Sequence, residues 1–163
     1  AAPFVDRLLG EQLPPPVADG CFNDFIIYRK DGFYAYQLAV VVDDIEQGIT
    51  HIVRGSDILD STFKQGYLYR YFGQTPPTYL HLPVILHGSG QKLSKQNLAQ
   101  AVNDATPCAN LLQVLQLLGQ GLPPLNLQDT PQAILDWATR HWDIGRIPLL
   151  GKPPPTWRLM ITV

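Results

Sequence analysis

Strand-like and helical segments alternate between residues 24 and 86, and this alternation limits the possible folds more than any other feature of the chain. The strand-like segments are short and rich in β-branched and aromatic residues, whereas the helical ones carry an apolar i, i+3, i+4, i+7 stripe or a capping residue. Such alternation is typical of a parallel α/β sheet. In order, it predicts a β-hairpin over 24–35, a helix from 38 that ends at Gly48, a short buried strand over 49–54, a helix over 61–72 and a strand over 79–86.

A second pattern begins at Leu98 and contains helix signals. Thr106-Pro107 combines an N-cap residue with proline at the first helical position, Gly119 can close that helix, and Thr130-Pro131 repeats the device. The second helix has an apolar face, which can pack either on the sheet or on the first helix. We therefore expect a small helical subdomain over 98–148.

The two ends of the chain show weaker signals. Residues 1–23 contain a run of three prolines and favour extended or turn backbone, and residues 1–4 show no helix or strand start. We interpret 1–23 as the end of an upstream connecting segment, 24–97 as half of a nucleotide-binding domain and 149–163 as a tail. Because the first residue is not methionine, we expect the chain to begin inside a longer protein.

Composition restricts the environment and the partners. The formal net charge is −2 and the sequence pI is about 6.0, so any RNA contact must come from a local patch rather than an overall basic field. Cys21 and Cys108 are not near histidines at metal-ligand spacing, and no segment has the length of a membrane span. We expect a reduced, cytoplasmic monomer without a membrane partner.

A few residues could carry chemistry, and each has a simpler explanation. The lysines of the loop at 92–96 suit a polyphosphate, but a solvated surface loop gives the same pattern. Arg54 can bind a carboxylate in a bidentate manner, or pair with an aspartate at position 43, 44 or 57; Tyr36 can be a core tyrosine. His81 lies on an apolar strand as a hydrogen-bonded structural residue, and no histidine spacing predicts a metal site.

Several short motifs follow one another along the chain. They are Tyr36-Gln37-Leu38-Ala39, Asp43-Asp44, Gly48-Ile49-Thr50-His51, Val53-Arg54-Gly55, Asp57-Ile58-Leu59-Asp60-Ser61-Thr62, Leu80-His81-Leu82-Pro83 and the signature loop Lys92-Leu93-Ser94-Lys95-Gln96. Over about residues 24 to 148, their order and spacing resemble those of the glutamyl-tRNA synthetase family of class I synthetases. Within that family, the motif at 57–62 and the glutamine after the second lysine most resemble the glutamyl-Q-tRNA(Asp) synthetases, and too little chain follows Leu98 for an anticodon-binding domain.

The resemblance implies a fold and a set of roles. The fold is the second half of a class I synthetase Rossmann-like nucleotide-binding domain with parallel strands, followed by the helical subdomain. Tyr36 and Arg54 match residues that contact L-glutamate, and Lys95, assisted by Lys92, matches the lysine that contacts ATP. ATP is a substrate, Mg²⁺ is expected with it, and tRNA(Asp) is the glutamate acceptor.

The family's His-x-Gly-His-type ATP motif and its zinc site lie upstream of the matched region and are absent here. We therefore expect an incomplete active site and an inactive fragment. Two other interpretations stay open: a fragment of an ordinary glutamyl-tRNA synthetase, and a non-catalytic RNA-binding module whose lysine loop contacts phosphates.

Overall fold

The computed structural model of the protein describes residues 2–15, 24–85 and 101–149. The chain divides into two compact units, Ala1–Leu82 and Pro83–Val163. The first unit contains a sheet with helices, and the second is helical where it is described. No helix in these ranges is long and apolar enough to cross a membrane.

The sheet of the first unit has four strands: β1 (Phe4–Asp6), β2 (Gly10–Gln12), β3 (His51–Gly55) and β4 (Thr78–Leu82). Their order is β2-β1-β4-β3. β4 pairs in parallel with both β1 and β3, whereas β2 is antiparallel to β1. The predicted α/β fold with parallel strands is confirmed. The three parallel strands β1, β3 and β4 end at the same edge of the sheet, where α/β folds bind their ligands.

Strands β1 and β2 lie where the sequence showed no strand start, so that expectation was wrong. Each has three residues, too few for an alternating pattern to be visible. Asp6 is opposite Tyr79 in the parallel pair, and the backbone N–H of Arg7 donates to the carbonyl of Tyr79 at 2.9 Å. Pairing with a distant strand therefore produces β1, and a local window of sequence cannot reveal it.

Helices α1 (Tyr36–Glu46) and α2 (Ser61–Tyr71) follow the predicted helical segments closely. They pack against each other through a cluster in which Val41 of α1 meets Leu68 and Tyr69 of α2. The expected hairpin before α1 contains one isolated bridge, between Tyr28 and Tyr34.

One face of the sheet packs against α2. The ring of Phe4 on β1 makes edge contacts with Phe63 of α2, at 5.1 Å between centroids, and with Tyr79 of β4, at 5.7 Å. The strand predicted over 49–54 is not buried throughout, because Val53 points to the other face and is 62% exposed. That expectation was wrong for one face of the strand, since a run of β-branched residues does not show which faces are covered.

The second unit is built on helices α3 (Pro107–Leu117) and α4 (Pro131–Arg140), with short 3-10 helices at Leu125–Leu127 and Ile144–Arg146. Leu115 of α3 packs against the buried side chains of Ile134 and Ala138 of α4. The apolar face of α4 thus packs on α3, one of the two alternatives left open by the sequence. Thr130 caps α4 by accepting the N–H of Ala133 at 3.3 Å.

Candidate functional site

A polar cluster lies at the carboxyl ends of the three parallel strands. Arg54 and His81 are the next-to-last residues of β3 and β4 and stand opposite each other in register, while Asp6 ends β1. Three N–H groups of the Arg54 guanidinium have acceptors. Nε donates to His81 Nε2 at 3.0 Å, Nη1 to Gln65 Oε1 at 2.7 Å, and Nη2 to Thr62 Oγ1 at 2.8 Å.

The Arg54 guanidinium also lies over the ring of Tyr79, 5.3 Å from its centroid, which is a cation–π contact. Burial raises the pKa of Tyr79 to about 12, so the phenol stays neutral. Neither Asp43 nor Asp44 forms an ion pair with Arg54 in the described residues. Among the described residues, the hydrogen-bond partners of Arg54 are an imidazole, an amide and a hydroxyl, and none of these is a carboxylate.

His81 is fully buried and contacts Asp6, which is almost fully buried. His81 Nδ1 lies 2.7 Å from Asp6 Oδ2. Burial lowers the pKa of His81, and the charge of Arg54 lowers it further against the opposing effect of Asp6. Burial alone would raise the pKa of Asp6, but hydrogen bonds from His81 and the N–H groups of Leu9 and Leu8 outweigh it and lower the pKa. At neutral pH the pair is thus a neutral imidazole and a carboxylate.

The cluster continues from Arg54 to the first turn of α1. Gln65 Nε2 donates to Gln37 Oε1 at 2.9 Å, and Gln37 Nε2 donates to Ser61 Oγ at 2.9 Å. Tyr36, the first residue of α1, precedes Gln37 and is 55% exposed. The core position that we considered for Tyr36 is wrong, because more than half of its side chain is accessible.

The predicted site residues fall into two groups. Tyr36 and Arg54 belong to elements joined by the hydrogen bonds of Gln37 and Gln65, so the structure brings these two segments together. The signature loop with Lys92, Leu93, Ser94, Lys95 and Gln96 lies outside the described residues.

Sequence reasoning missed Asp6, Gln37, Thr62 and Gln65. A signal for two of them was present, because Thr62 and Gln65 are three residues apart and both lie buried on the face of α2 that meets the sheet. Polar residues at helix positions that should be apolar indicate a buried network. Asp6 gave no such signal, since its partner His81 is distant in sequence.

A separate apolar cleft of about 460 Å³ lies in the second unit, between α3 and α4. Hydrocarbon groups dominate its wall, with the Thr139 hydroxyl and the Trp142 indole as the polar groups, so it offers no cation for an anionic substrate. Among the described residues, no group of three or more histidine, cysteine, aspartate or glutamate side chains could hold a metal ion.

Comparison with known proteins agrees with this geometry. The family model described as "tRNA synthetases class I (E and Q), catalytic domain" matches residues 16–120. Two relatives named glutamyl-Q tRNA(Asp) synthetase illustrate the similarity. The one from Pectobacterium atrosepticum is 49% identical over 127 residues, which are 78% of this chain and 39% of the relative. The one from Pseudomonas aeruginosa strain LESB58 is 46% identical over 151 residues, or 93% and 51% of the two chains.

Solved structures show the same fold. A glutamate tRNA ligase from Elizabethkingia meningosepticum, crystallised in complex with its amino acid, superposes with a TM-score of 0.63 at 23% identity, covering 90% of this chain and 32% of that one. This chain spans about half the length, or less, of the curated relatives that it matches. On the extent of the family match, this chain belongs to the catalytic-domain family of the class I tRNA synthetases for glutamate and glutamine.

Proposed function

We propose that this chain is part of an ATP-dependent enzyme that activates glutamate as glutamyl-adenylate and transfers it to the queuosine base of tRNA(Asp). The names of the relatives support the choice of amino acid and acceptor. The observation that carries the proposal is the position of Arg54, which lies near the carboxyl end of a parallel strand, where α/β folds bind ligands, and whose hydrogen-bond partners among the described residues include no carboxylate.

Arg54 is suited to bind a carboxylate of glutamate. A guanidinium has five N–H donors, and the described network uses three of them. One N–H on each terminal nitrogen has no acceptor among the described residues, and two such donors suit the two oxygens of a carboxylate. Tyr36 is exposed on α1 and offers a phenol hydroxyl as a further donor to the same substrate.

ATP would be bound by the signature loop. Lys95, assisted by Lys92, would place positive charge on the pyrophosphate as it leaves the α-phosphate. In this step a carboxylate oxygen of glutamate forms a bond to the α-phosphorus while the bond to pyrophosphate breaks. Mg²⁺ is expected with ATP, and the remaining ATP contacts would come from the part of the relatives' catalytic domain that this chain does not span.

ATP–pyrophosphate exchange with glutamate, measured on the full-length product of the gene, tests the proposal. We expect exchange in the absence of any tRNA. Strict dependence on tRNA would instead identify an ordinary glutamyl-tRNA synthetase. A lack of exchange, together with salt-sensitive tRNA binding that Lys95→Ala leaves intact, would identify an RNA-binding module.

The substitution Arg54→Lys tests the glutamate site itself. Lysine keeps the charge but loses the planar fork, so we expect the KM for glutamate to rise about tenfold or more while the KM for ATP is unchanged. Arg29→Lys is the matched control, because Arg29 is exposed and pairs with Asp31 on the surface. Equal KM values for glutamate in the two variants would show that Arg54 does not bind glutamate.

A further inference from the structure

The carboxylate of Asp6 is saturated with hydrogen bonds. Oδ1 accepts the backbone N–H groups of Leu8 and Leu9, each at 2.9 Å. Oδ2 accepts the backbone N–H of His81 at 3.1 Å and lies 2.7 Å from the Nδ1 atom of the same residue. A carboxylate has about four acceptor positions, and all of them are used here. Asp6 therefore holds both the backbone and the ring of His81 in place.

The partners of His81 determine which ring nitrogen carries the proton. A guanidinium can only donate, so the hydrogen bond from Arg54 Nε requires His81 Nε2 to be an acceptor. In a neutral imidazole the proton then lies on Nδ1, where Asp6 accepts it. The Oγ1 atom of Thr62 lies 3.2 Å from Nε2 and is compatible with this tautomer, because its hydroxyl can donate.

We propose that Asp6 and His81 are positioning residues that orient the guanidinium of Arg54 for its carboxylate ligand, with Asp6 selecting the imidazole tautomer that accepts the Nε–H of Arg54. The proposal rests on the proposed function, in which Arg54 binds glutamate. Neither Asp6 nor His81 touches the substrate in this arrangement. They act through Arg54, and Asp6 fixes the tautomer of His81 as a carboxylate fixes that of a metal-binding histidine in other proteins.

The imidazole of His81 also keeps the carboxylate of Asp6 away from the guanidinium of Arg54. A direct ion pair with Asp6 would occupy the fork that a substrate carboxylate needs. Because a neutral imidazole stands between them, Arg54 is oriented by an uncharged acceptor and keeps a donor on each terminal nitrogen. The buried pair thus fixes the geometry of Arg54 without competing for its ligand.

Asp6→Asn in the full-length gene product is the sharpest test. An asparagine NH₂ group at the position of Oδ2 faces the ring and one backbone N–H of His81, whereas at the position of Oδ1 it faces two backbone N–H groups, those of Leu8 and Leu9. The first orientation leaves fewer donors without an acceptor, because the ring of His81 can change its tautomer. With the NH₂ group facing the ring, Nδ1 must accept and the proton moves to Nε2, which then faces the Nε–H of Arg54. We expect the KM for glutamate to rise about tenfold or more, with kcat and the KM for ATP changed less than about threefold.

Two substitutions at His81 separate positioning from packing. In His81→Gln the amide oxygen can occupy the position of Nε2 and still accept from Arg54, whereas His81→Leu fills the space without an acceptor. We expect the KM for glutamate to rise about tenfold or more in the leucine variant and about threefold or less in the glutamine variant. Similar increases in both variants would show a packing role and overturn the proposal.

Tyr69→Phe controls for general destabilisation of the same helix. It removes the hydrogen bond from the Tyr69 hydroxyl to Asp44, at 3.3 Å, on the helix that carries Thr62 and Gln65. We expect unchanged KM values in this variant. If Tyr69→Phe raises the KM for glutamate as much as Asp6→Asn does, the effect comes from loss of stability and the positioning role is refuted.

The ¹⁵N chemical shifts of the His81 ring test the tautomer independently of activity. We expect the Nδ1–H form in the wild-type protein and the Nε2–H form in Asp6→Asn, with the signals assigned by their loss in His81→Gln. An Nε2–H form in the wild-type protein would overturn the proposal. If the wild-type protein has the expected tautomer but shows no ATP–pyrophosphate exchange with glutamate, the proposed function is refuted instead. Failure of the positioning role and failure of the proposed function are therefore distinguishable.

Discussion

The close approach between Gly119 and Arg146 gives a stability prediction that follows directly from the geometry. Gly119 follows the C-cap residue of α3 and has φ +69°, and a Cβ atom added there would lie 2.2 Å from the carbonyl oxygen of Arg146. The contact cannot relax easily. The side chain of Gln120 exchanges two hydrogen bonds with the backbone of Asp143, at 2.9 and 3.0 Å, and these fix the segment that leads to Arg146.

The substitution Gly119→Ala should therefore cost more than the backbone conformation alone. An alanine in the left-handed region costs about 1–2 kcal/mol. The forced contact with a backbone carbonyl adds about 1–3 kcal/mol, as in other overpacked sites. We expect a total loss in the free energy of unfolding of about 2–5 kcal/mol.

Gly73→Ala is the matched control, because Gly73 also has φ +69° and an added Cβ there meets nothing within 4 Å. The Gly73→Ala variant should lose about 1–2 kcal/mol in the free energy of unfolding, because only the left-handed backbone conformation is unfavourable for alanine there. Urea denaturation followed by far-UV circular dichroism measures both variants, and tryptophan fluorescence adds a probe of the unit Pro83–Val163, which contains all three tryptophans. Equal losses in the two variants would show that the close approach to Arg146 does not exist.

Two further predictions concern the buried polar groups of the first unit. Because the folded-state pKa values of His81 and Asp6 are lowered, their stabilising contribution is complete above the unfolded-state values and is lost as the pH falls. The free energy of unfolding should hence decline below about pH 6.5 through His81, and further below about pH 4 through Asp6. Urea denaturation at pH 7.5 and 5.5 should show a smaller decline in His81→Gln than in the wild-type protein. Equal declines in the two proteins would contradict this account. The hydroxyl of Tyr79 is buried without a hydrogen-bond partner in the described ranges, so Tyr79→Phe should keep the ring below Arg54 and remove only an unsatisfied group. Thermal unfolding should show a stability that is unchanged or higher by up to about 1 kcal/mol. A loss above about 1 kcal/mol would show that the hydroxyl has a hydrogen-bond partner.

The helices were readable from the sequence because their signals are local. The stripe that includes Val41 predicted α1, and proline after Thr130 marked the start of α4. Such signals depend on residues within one or two helical turns, so they can be recognised without knowledge of the rest of the fold. Arg54 could likewise be singled out from the motif around it, and its place at the end of a parallel strand followed from the alternation of elements.

What the sequence by itself determined is thus the α/β class and the helical second part, and its motifs made Arg54 a candidate for binding a carboxylate. Only the tertiary structure decided which residues surround it. Asp6 reaches His81 across 75 positions of the chain, and strand β1 exists through its pairing with β4. The hydrogen bonds and the shared burial of such groups form only when distant strands come together, and they leave no period or spacing in the sequence from which they could be predicted.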